Sequence, residues 1–300
     1  MTPRDFSMTA LKGFGMGAAN VVPGVSGGTI ALLTGIYSDI VDALSALTDA
    51  QTWQDLLHGR FKAFWTRIHG PFLLALFVGL VVSIFSLAKL MTWALGHYPV
   101  MTWAFFFGLI LASAYYMLRA IKGWGIRDVL LTLGGIALGI LVCTLSPTQT
   151  PDSMWFLFIC GAVSVCTMIL PGVSGSFVLI IMGKYDYVMD AVSTLNVPVL
   201  LVFALGCVVG LLAFAKLLHW LLARWERQTM LVLVGFVLGS LVRVWPWADM
   251  EAVRAAQLLR TGAVDPVALQ IPGAVICALA GVALVVALES LGARNKKETQ

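Results

Sequence analysis

The chain has 300 residues, of which 60% are hydrophobic and only 11% are charged, and its formal net charge is +4 at pH 7. An ordinary soluble domain carries roughly 25% charged residues, so water is not the main solvent of this chain. The basic residues stand in short clusters between apolar runs, which excludes a continuous basic face for nucleic acid. All five cysteines lie inside apolar runs and lack metal-ligand spacing, so we expect no disulfide framework, no metal site and no cofactor.

Six apolar runs are long enough to cross a membrane as helices, for which about 20 residues are needed. In chain order they are Pro71–Leu95, Met101–Leu118, Val129–Leu145, Pro198–Leu222, Thr229–Trp245 and Ile271–Leu288. The predicted fold class is therefore an all-α polytopic membrane protein that forms one integrated membrane domain.

Lys and Arg residues alternate along the chain in a way that predicts the orientation. Five basic clusters, within residues 4–12, 60–67, 119–127, 224–227 and 294–297, fall where alternate crossings return to the same side. By the positive-inside rule this side is the cytoplasm, so both termini are expected there. The N-terminus lacks the features of a cleaved signal peptide, and we expect the first helix to be retained.

Two further apolar stretches, residues 8–47 and 154–195, are interrupted near their middle by the sequences PGVSGG and PGVSGS. At about 1.5 Å per residue, an unbroken helix of this length would be about 60 Å long, so each stretch must fold back. We interpret each as a re-entrant hairpin of two short helices, which is tolerated only where it is buried in protein or lines a cavity. Two full crossings per stretch are the alternative and leave the termini on the same side.

The sequence also contains an internal repeat. The motif PGVSG at residues 23–27 recurs at residues 171–175, an offset of 171 − 23 = 148, and Lys89 recurs as Lys216 with 216 − 89 = 127. The halves are then residues 1–145 and 146–300, each a hairpin followed by three crossings. Because three is odd, the second half is inverted relative to the first, an arrangement that secondary transporters use with a site at the midplane. A shared bias of membrane helices toward small residues is the alternative explanation.

The repeated motif predicts an anion site. Pro and Gly allow the backbone to turn, and the hydroxyl groups suit the N-cap of the outgoing arm, whose free N–H groups and positive dipole end attract anions. The predicted headgroup cradle consists of Gly24, Ser26, Gly27, Gly28, Thr29, Gly172, Ser174, Gly175 and Ser176. Alternatively, Gly and Pro only permit the bend and the hydroxyls only satisfy local backbone groups.

Three cations are candidates to neutralise the anion. Lys89 and Lys216 lie deep in apolar runs, where a charge is costly and functional by default, and Arg243 lies near the outer end of a predicted crossing. The alternatives are snorkelling of the lysines to the headgroup layer and interfacial anchoring by Arg243. Lys184, in the second hairpin, is interpreted as an outer-surface anchor.

Coupling of transport to a proton or Na⁺ gradient would require acidic groups near membrane depth. The candidates are Asp39, Asp42, Asp186, Asp190 and Glu289. Each of them also fits a helix end in the headgroup layer, so the choice among these readings stays open.

Two other functional classes fit the sequence less well. Residues 24–28 match the G-x-S-x-G pattern of hydrolases, but that motif requires a strand–turn–helix setting and a histidine base, and the four histidines lie in loops or near a helix end. We therefore expect no enzymatic activity and no catalytic residue. A scaffold or insertase without transport activity remains as an alternative function, although paired broken hairpins are costly to build without a ligand.

Residues 13–37, GFGMGAANVVPGVSGGTIALLTGIY, together with PGVSGS and GKYD in the second half, resemble the PopT-type polyprenyl-phosphate transporter family. The resemblance covers essentially the whole chain. It implies return of undecaprenyl phosphate from the outer to the inner leaflet of the bacterial cytoplasmic membrane, which recycles this lipid carrier for peptidoglycan and other envelope polymers. It supplies no residue-level site. A carrier of a small anion with the same architecture is the alternative function.

Overall fold

We analysed a computed structural model of the chain, which describes residues 2–21, 27–145, 150–262 and 270–298. The regular structure within these ranges is helical, as the sequence predicts. The helices are α1 (Pro3–Val21), α2 (Gly27–Leu33), α3 (Tyr37–Ala46), α4 (Ala50–Leu57), α5 (Phe61–Arg67), α6 (Gly70–His97), α7 (Pro99–Ala120), α8 (Ile126–Thr144), α9 (Met154–Ile169), α10 (Gly175–Ile181), α11 (Tyr185–Ser193), α12 (Val197–Ser240), α13 (Met250–Thr261) and α14 (Ile271–Glu298).

Several helices are suited to a lipid environment. Four of the described helices, α6, α7, α8 and α12, are long and apolar enough to cross a membrane, whereas α9 and the apolar part of α14 are shorter. Large apolar side chains on these helices are exposed, for example Phe85 at 83% and Ile276 at 67%. Exposed apolar surface on this scale marks contact with a membrane or a partner, and the chain is therefore a multi-pass membrane protein.

The chain divides into two compact units that each combine residues from both sequence halves. The first unit contains Met1–Leu87 and Thr144–Leu233, and the second contains Ala88–Cys143 and Val234–Gln300. Both PGVSG motifs belong to the first unit. The candidate site is for this reason described within that unit.

In the first unit, glycine allows two pairs of helices to approach closely. A Cβ atom at Gly13 in α1 would collide with the carbonyl oxygen of Leu76 in α6, and a Cβ atom at Gly161 in α9 would collide with that of Phe203 in α12. These two contacts are related by the sequence offsets, since 161 − 13 = 148 and 203 − 76 = 127. The reciprocal contacts of Gly79 with Ala10 and of Gly206 with Phe158 follow the same offsets. Small residues at such crossings are typical of membrane helices.

In the second unit, glycine also allows two pairs of helices to approach closely. A Cβ atom at Gly108 in α7 would collide with the carbonyl oxygen of Ala278 in α14, and one at Gly235 in the last part of α12 would collide with that of Thr132 in α8. Gly108 and Gly235 are themselves related by 235 − 108 = 127. In each pair, a helix from one sequence half packs against a helix from the other half.

The predicted crossings at 198–222 and 229–245 both fall in α12, which is interrupted at Trp225, where φ is −139° and ψ is 51°. This interruption lies in the predicted connection between the two crossings, and only the end of the second crossing requires a correction. The helix ends at Ser240, because residues 241–244 form tight turns with hydrogen bonds to the residue three positions earlier, a common ending for helices. Pro246 follows and cannot donate a backbone hydrogen bond. Arg243 therefore lies beyond the helix and not near its outer end within it.

Three short helices lie where the sequence indicated only connections. Helices α4 and α5 precede α6, and α13 lies between α12 and α14. They have 8, 7 and 12 residues, too few to cross a membrane. The structure thus adds helices outside the predicted crossings and hairpins.

Candidate substrate site at the broken helices

In each broken stretch the helix that follows the PGVSG motif is itself interrupted, and the prediction of a single outgoing helix is wrong. In the first stretch, α2 has only seven residues and ends before Gly35, whose φ is +72°. In the second stretch, α10 also has seven residues and ends before Gly183, whose φ is +63°. A left-handed residue cannot continue a right-handed helix, and glycine adopts this conformation without a Cβ clash. Each outgoing arm therefore consists of two helices joined by a glycine turn.

The two stretches have the same succession of elements. Helix α2 begins at Gly27 and α10 at Gly175, and the following helices begin at Tyr37 and Tyr185. Both differences equal 148, the offset of the PGVSG motif. The helices that follow the two motifs thus begin at equivalent positions.

The start of α2 meets the second PGVSG motif directly inside the first unit. The backbone N–H of Gly172 donates a hydrogen bond of 2.8 Å to the hydroxyl oxygen of Thr29, and this threonine is fully buried. Next to it, a Cβ atom on Gly28 would lie 2.5 Å from the carbonyl oxygen of Ile169 at the end of α9. The start of α2 therefore packs against the second break with no room for a side chain at residue 28.

Side chains satisfy several backbone groups that the sequence reading had left free for a ligand. The N–H of Gly27 donates to Asn20 Oδ1 at 2.7 Å. In the second copy, Ser174 is the N-cap of α10 and its hydroxyl accepts from the N–H of Phe177 at 3.3 Å, as N-cap residues do. The hydroxyl of Ser164 donates to the carbonyl oxygen of Gly175 at 3.0 Å. These contacts fix the breaks and occupy part of the predicted cradle.

Two hydroxyl groups remain accessible at the second break. Ser176 is exposed, Ser174 is half-buried, and their Oγ atoms lie 3.2 Å apart. A hydroxyl group can both donate and accept, so this pair can turn donors toward an anion without breaking the helix cap. It is the most accessible polar feature of the predicted cradle in the described residues.

The C-terminal end of each short helix is fixed by a side chain that precedes the PGVSG motif in the sequence. Lys12 Nζ donates to the carbonyl oxygen of Thr34 at 2.9 Å, and Thr150 Oγ1 donates to that of Met182 at 2.5 Å. Thr34 and Met182 are again related by the offset of 148. The last carbonyl groups of a helix lack intrahelical partners, so these contacts satisfy an equivalent need with different residues.

Lys184 is buried and does not act as the predicted outer-surface anchor. Its Nζ atom donates to Asp152 Oδ1 at 2.6 Å and to the carbonyl oxygen of Thr150 at 2.8 Å. The rings of Phe156 and Tyr187 lie about 6 Å from the ammonium group, with 6.0 and 5.9 Å to their centroids. A buried charge requires such partners, and the lysine ties the segment before α9 to the turn between α10 and α11.

The other predicted residues are placed as follows. Gly24, Ser26 and the side chain of Lys89 lie outside the described residues, although the backbone of Lys89 belongs to α6. Lys216 is exposed on α12 in the first unit. Arg243 is exposed and belongs to the second unit. The structure thus brings together Gly27, Gly28, Thr29, Gly172, Ser174, Gly175 and Ser176.

One of the predicted acidic residues pairs with a histidine. Asp42 Oδ1 lies 2.8 Å from Nδ1 of His219, and both side chains are about half exposed, at 49% and 48%. His219 lies three residues after Lys216 on α12, and residues at this spacing share a helix face. Asp39, Asp186 and Asp190 are exposed, and the side chain of Glu289 lies outside the described residues.

Sequence reasoning missed the residues that hold the breaks. Asn20 and Ser164 are polar residues within apolar runs just before each PGVSG motif. Such residues in membrane segments seek hydrogen-bond partners, and this signal could have identified both. The pairing of Asp152 with Lys184 gave no comparable signal, because 32 residues separate the partners.

The sequence was compared with known proteins. It matches the VCA0040-like family, described as undecaprenyl phosphate translocase-like, over residues 16–260. A polyprenyl-phosphate transporter of Vibrio cholerae serotype O1 is 42% identical over 248 residues, which cover 82% of this chain and 79% of the relative. A polyprenyl-phosphate transporter of Staphylococcus aureus is 31% identical over 254 residues, covering 79% and 85%. No solved structure matches the chain significantly.

Proposed function

This chain belongs to the undecaprenyl phosphate translocase-like family, and from that premise we propose that it returns undecaprenyl phosphate from the outer to the inner leaflet of the cytoplasmic membrane. The returned lipid is reused in the synthesis of peptidoglycan and other envelope polymers. The observation that carries this proposal is the family match over residues 16–260, which includes both PGVSG sequences. Relatives named polyprenyl-phosphate transporters support the lipid class. The chain acts as a carrier and not as an enzyme, with both termini in the cytoplasm.

The phosphate headgroup binds near the junction of α2 with the second PGVSG motif, and the polyprenyl tail stays in lipid between helices. The hydroxyl groups of Ser174 and Ser176 supply donors at this place, and Lys89, Lys216 and Arg243 are the cations proposed to neutralise the charge during transport. Alternating access of the headgroup to either leaflet moves it across. The buried bond from Gly172 to Thr29 supports the choice of this junction, because it joins residues of both sequence halves.

Leaflet-resolved transport in proteoliposomes tests the function. Undecaprenyl phosphate placed in one leaflet is expected to reach the other at a rate that depends on the reconstituted protein. If the alternative function, transport of a small anion, is correct, the vesicles are expected to take up inorganic phosphate and the lipid is not expected to move. A rate equal to that of protein-free vesicles, with and without a pH gradient, would count against lipid transport.

The cations and hydroxyls are tested separately. The double variant Lys89→Ala, Lys216→Ala is expected to lower transport at least tenfold, because a headgroup phosphate in a low-dielectric site depends on neighbouring charge. Ser174→Ala with Ser176→Ala is expected to raise the apparent KM for the lipid. Arg254→Ala, which removes an exposed cation of α13, serves as the matched control. Normal transport in the lysine double variant would remove these lysines from the mechanism.

Coupling to protons acts through the pair of Asp42 and His219. Asp42 and His219 lie 2.8 Å apart and both are half exposed, so a proton can pass between this pair and solvent or a passing substrate. Asp42→Asn is expected to remove the stimulation of lipid transport by a pH gradient, while transport in the absence of a gradient is expected to continue. An Asp42→Asn variant that still responds fully to the gradient, or a wild type driven only by Na⁺, would exclude this pair from coupling.

A further inference from the structure

The α4–α5 hairpin, residues 50–67, has a polarity opposite to that of a helix on a soluble surface. In α4 the buried side chains are those of Thr52 and Asp55, while Trp53 is 47% exposed and Leu57 is 83% exposed. Trp53 and Leu57 are four residues apart and share one face of the helix. The polar residues therefore point to the protein and the apolar residues point away from it.

Helix α5 continues this pattern. It buries none of its side chains, and Phe61 and Trp65, also four residues apart, are 67% and 43% exposed. Helices that expose Trp, Phe and Leu beside basic residues lie in the headgroup region of a membrane. Helix α6, which is long and apolar enough to cross the membrane, begins at Gly70, only three residues after α5 ends. The hairpin is therefore held at the membrane surface by the chain itself.

Basic residues surround a depression of about 820 Å³ on the same hairpin. Arg60, Lys62 and Arg67 line it together with Phe61 and Thr66. Asp55 is the acid that faces these cations, and its buried carboxylate lies 3.1 Å from Arg67 and 3.6 Å from Arg60. Three positive charges against one negative charge leave an excess of two, and the side chain of Arg60 is still 61% exposed. Asp49 lies at the opposite end of α4, where it precedes the helix.

We propose that the α4–α5 hairpin lies in the headgroup layer and binds an anionic phospholipid of the surrounding bilayer through Arg60 and Lys62. Leu57 and Phe61 enter the acyl boundary, and the cations meet the phosphate above them. Helix α13 offers a comparison with a smaller charge, because its exposed Leu258 and Leu259 accompany one acid and two bases, an excess of one positive charge. The preference for anionic headgroups is expected to be stronger at the α4–α5 hairpin, and it does not depend on the transported substrate.

Tryptophan quenching in bilayer nanodiscs that contain the full chain tests this proposal. The discs carry phosphatidylcholine or phosphatidylglycerol brominated near the headgroup end of the acyl chains, at equal mole fractions. Since the chain has ten tryptophans, the contribution of the hairpin is the difference between wild type and Trp53→Phe, Trp65→Phe. We expect this contribution to be quenched at least about twofold more by the brominated phosphatidylglycerol.

Charge variants then identify the residues. Each basic residue near an anionic surface changes affinity by roughly fivefold, so Arg60→Gln with Lys62→Gln is expected to abolish the headgroup preference while quenching by phosphatidylcholine persists. Arg254→Gln with Arg260→Gln in α13 removes the same charge and is expected to leave the preference intact.

Three results would overturn the proposal. Absence of any quenching from Trp53 and Trp65 would place the hairpin in water. Equal quenching of the wild type by both brominated lipids would show that the hairpin inserts its apolar side chains but does not select anionic headgroups. Loss of the preference on adding about 1 mol% unlabelled polyprenyl phosphate would assign the cations to the transported lipid. Transport of undecaprenyl phosphate, measured separately, is expected to continue in Arg60→Gln, Lys62→Gln, so failure of this inference leaves the proposed function untouched.

Discussion

The short helices α2 and α10 occupy equivalent positions in the two broken stretches but are held in place by different side chains. They begin 148 residues apart, and each is followed by a left-handed glycine. Asn20 and Lys12 bond to backbone groups at the two ends of α2, whereas Ser164 and Thr150 bond to backbone groups of α10 and its C-terminal end. The glycine turn after the short helix is thus common to both copies, and the polar contacts that stabilise the helix are particular to each.

This difference has a physical reason. A break in a membrane helix leaves N–H and C=O groups that water cannot reach, and each must find a partner within the protein. Any side chain with a suitable donor or acceptor at the right distance will serve. The bend therefore constrains a few residues strictly, while its hydrogen-bond partners are free to differ between copies as long as each group is satisfied.

The largest expected effect is a difference in stability between substitutions at equivalent positions near the start of the two short helices. Gly28→Ala places a Cβ atom 2.5 Å from the backbone oxygen of Ile169, and overpacking of this kind costs about 3 kcal/mol. The equivalent position in the second copy is Ser176, since 28 + 148 = 176, and it is exposed. Thermal unfolding in detergent is expected to show a large loss of stability for Gly28→Ala and almost none for Ser176→Ala.

A matched glycine controls for helix propensity. Gly134 in α8 has open space where a Cβ atom would lie, so Gly134→Ala is expected to be neutral or slightly stabilising because alanine is the better helix former. Equal unfolding temperatures for Gly28→Ala and Gly134→Ala would contradict the close packing of α2 against α9.

The second prediction concerns the bond that joins the two copies. Thr29→Val keeps the shape of the side chain but leaves the buried N–H of Gly172 without its acceptor, which costs about 2 kcal/mol. Thr29→Ser is expected to restore stability and transport. Thr102→Val serves as a control, because the Thr102 hydroxyl bonds only to the carbonyl oxygen of Tyr98 in the first turn of α7. A Thr29→Val protein as stable as Thr102→Val would show that the junction contributes nothing.

The third prediction tests a contact found only in the second stretch. Asp152→Asn leaves the buried ammonium group of Lys184 without its carboxylate. We expect a loss of about 1.5 kcal/mol, which is small for a buried cation because Asp152 is 70% exposed and the bond to the Thr150 carbonyl remains. The double variant with Lys184→Met is expected to lose less than the sum of the two single variants, since neither partner is left alone. Additive losses would indicate that the two residues do not interact.

The sequence predicted the features that depend on short segments. The apolar runs predicted the long apolar helices, and Pro with Gly predicted the interruption between α9 and α10, because these depend on local features of the sequence. The residues that meet across the chain could not be predicted, since Thr29 and Gly172 are 143 positions apart. Helix α4 was missed for a different reason, because its buried Thr52 and Asp55 reverse the usual pattern of a surface helix. The second break was missed although Gly35 and Gly183 stood in the repeat, since a single glycine does not end a helix by itself.

The smallest expected effect compares these two glycines. Gly35→Ala and Gly183→Ala each force an alanine into a left-handed conformation, which costs about 1 kcal/mol. At Gly35 no atom lies near a new Cβ atom, so the backbone conformation is the whole cause there, and Gly35→Asn is expected to cost less because asparagine tolerates this region. At Gly183 the neighbouring Lys184 is fixed by its contacts with Asp152 and Thr150, so relaxation of the turn would also strain that pair. Equal losses at both positions in thermal unfolding would mean that the turn alone decides, whereas a larger loss at Gly183 would show that the lysine contact and the turn stabilise each other.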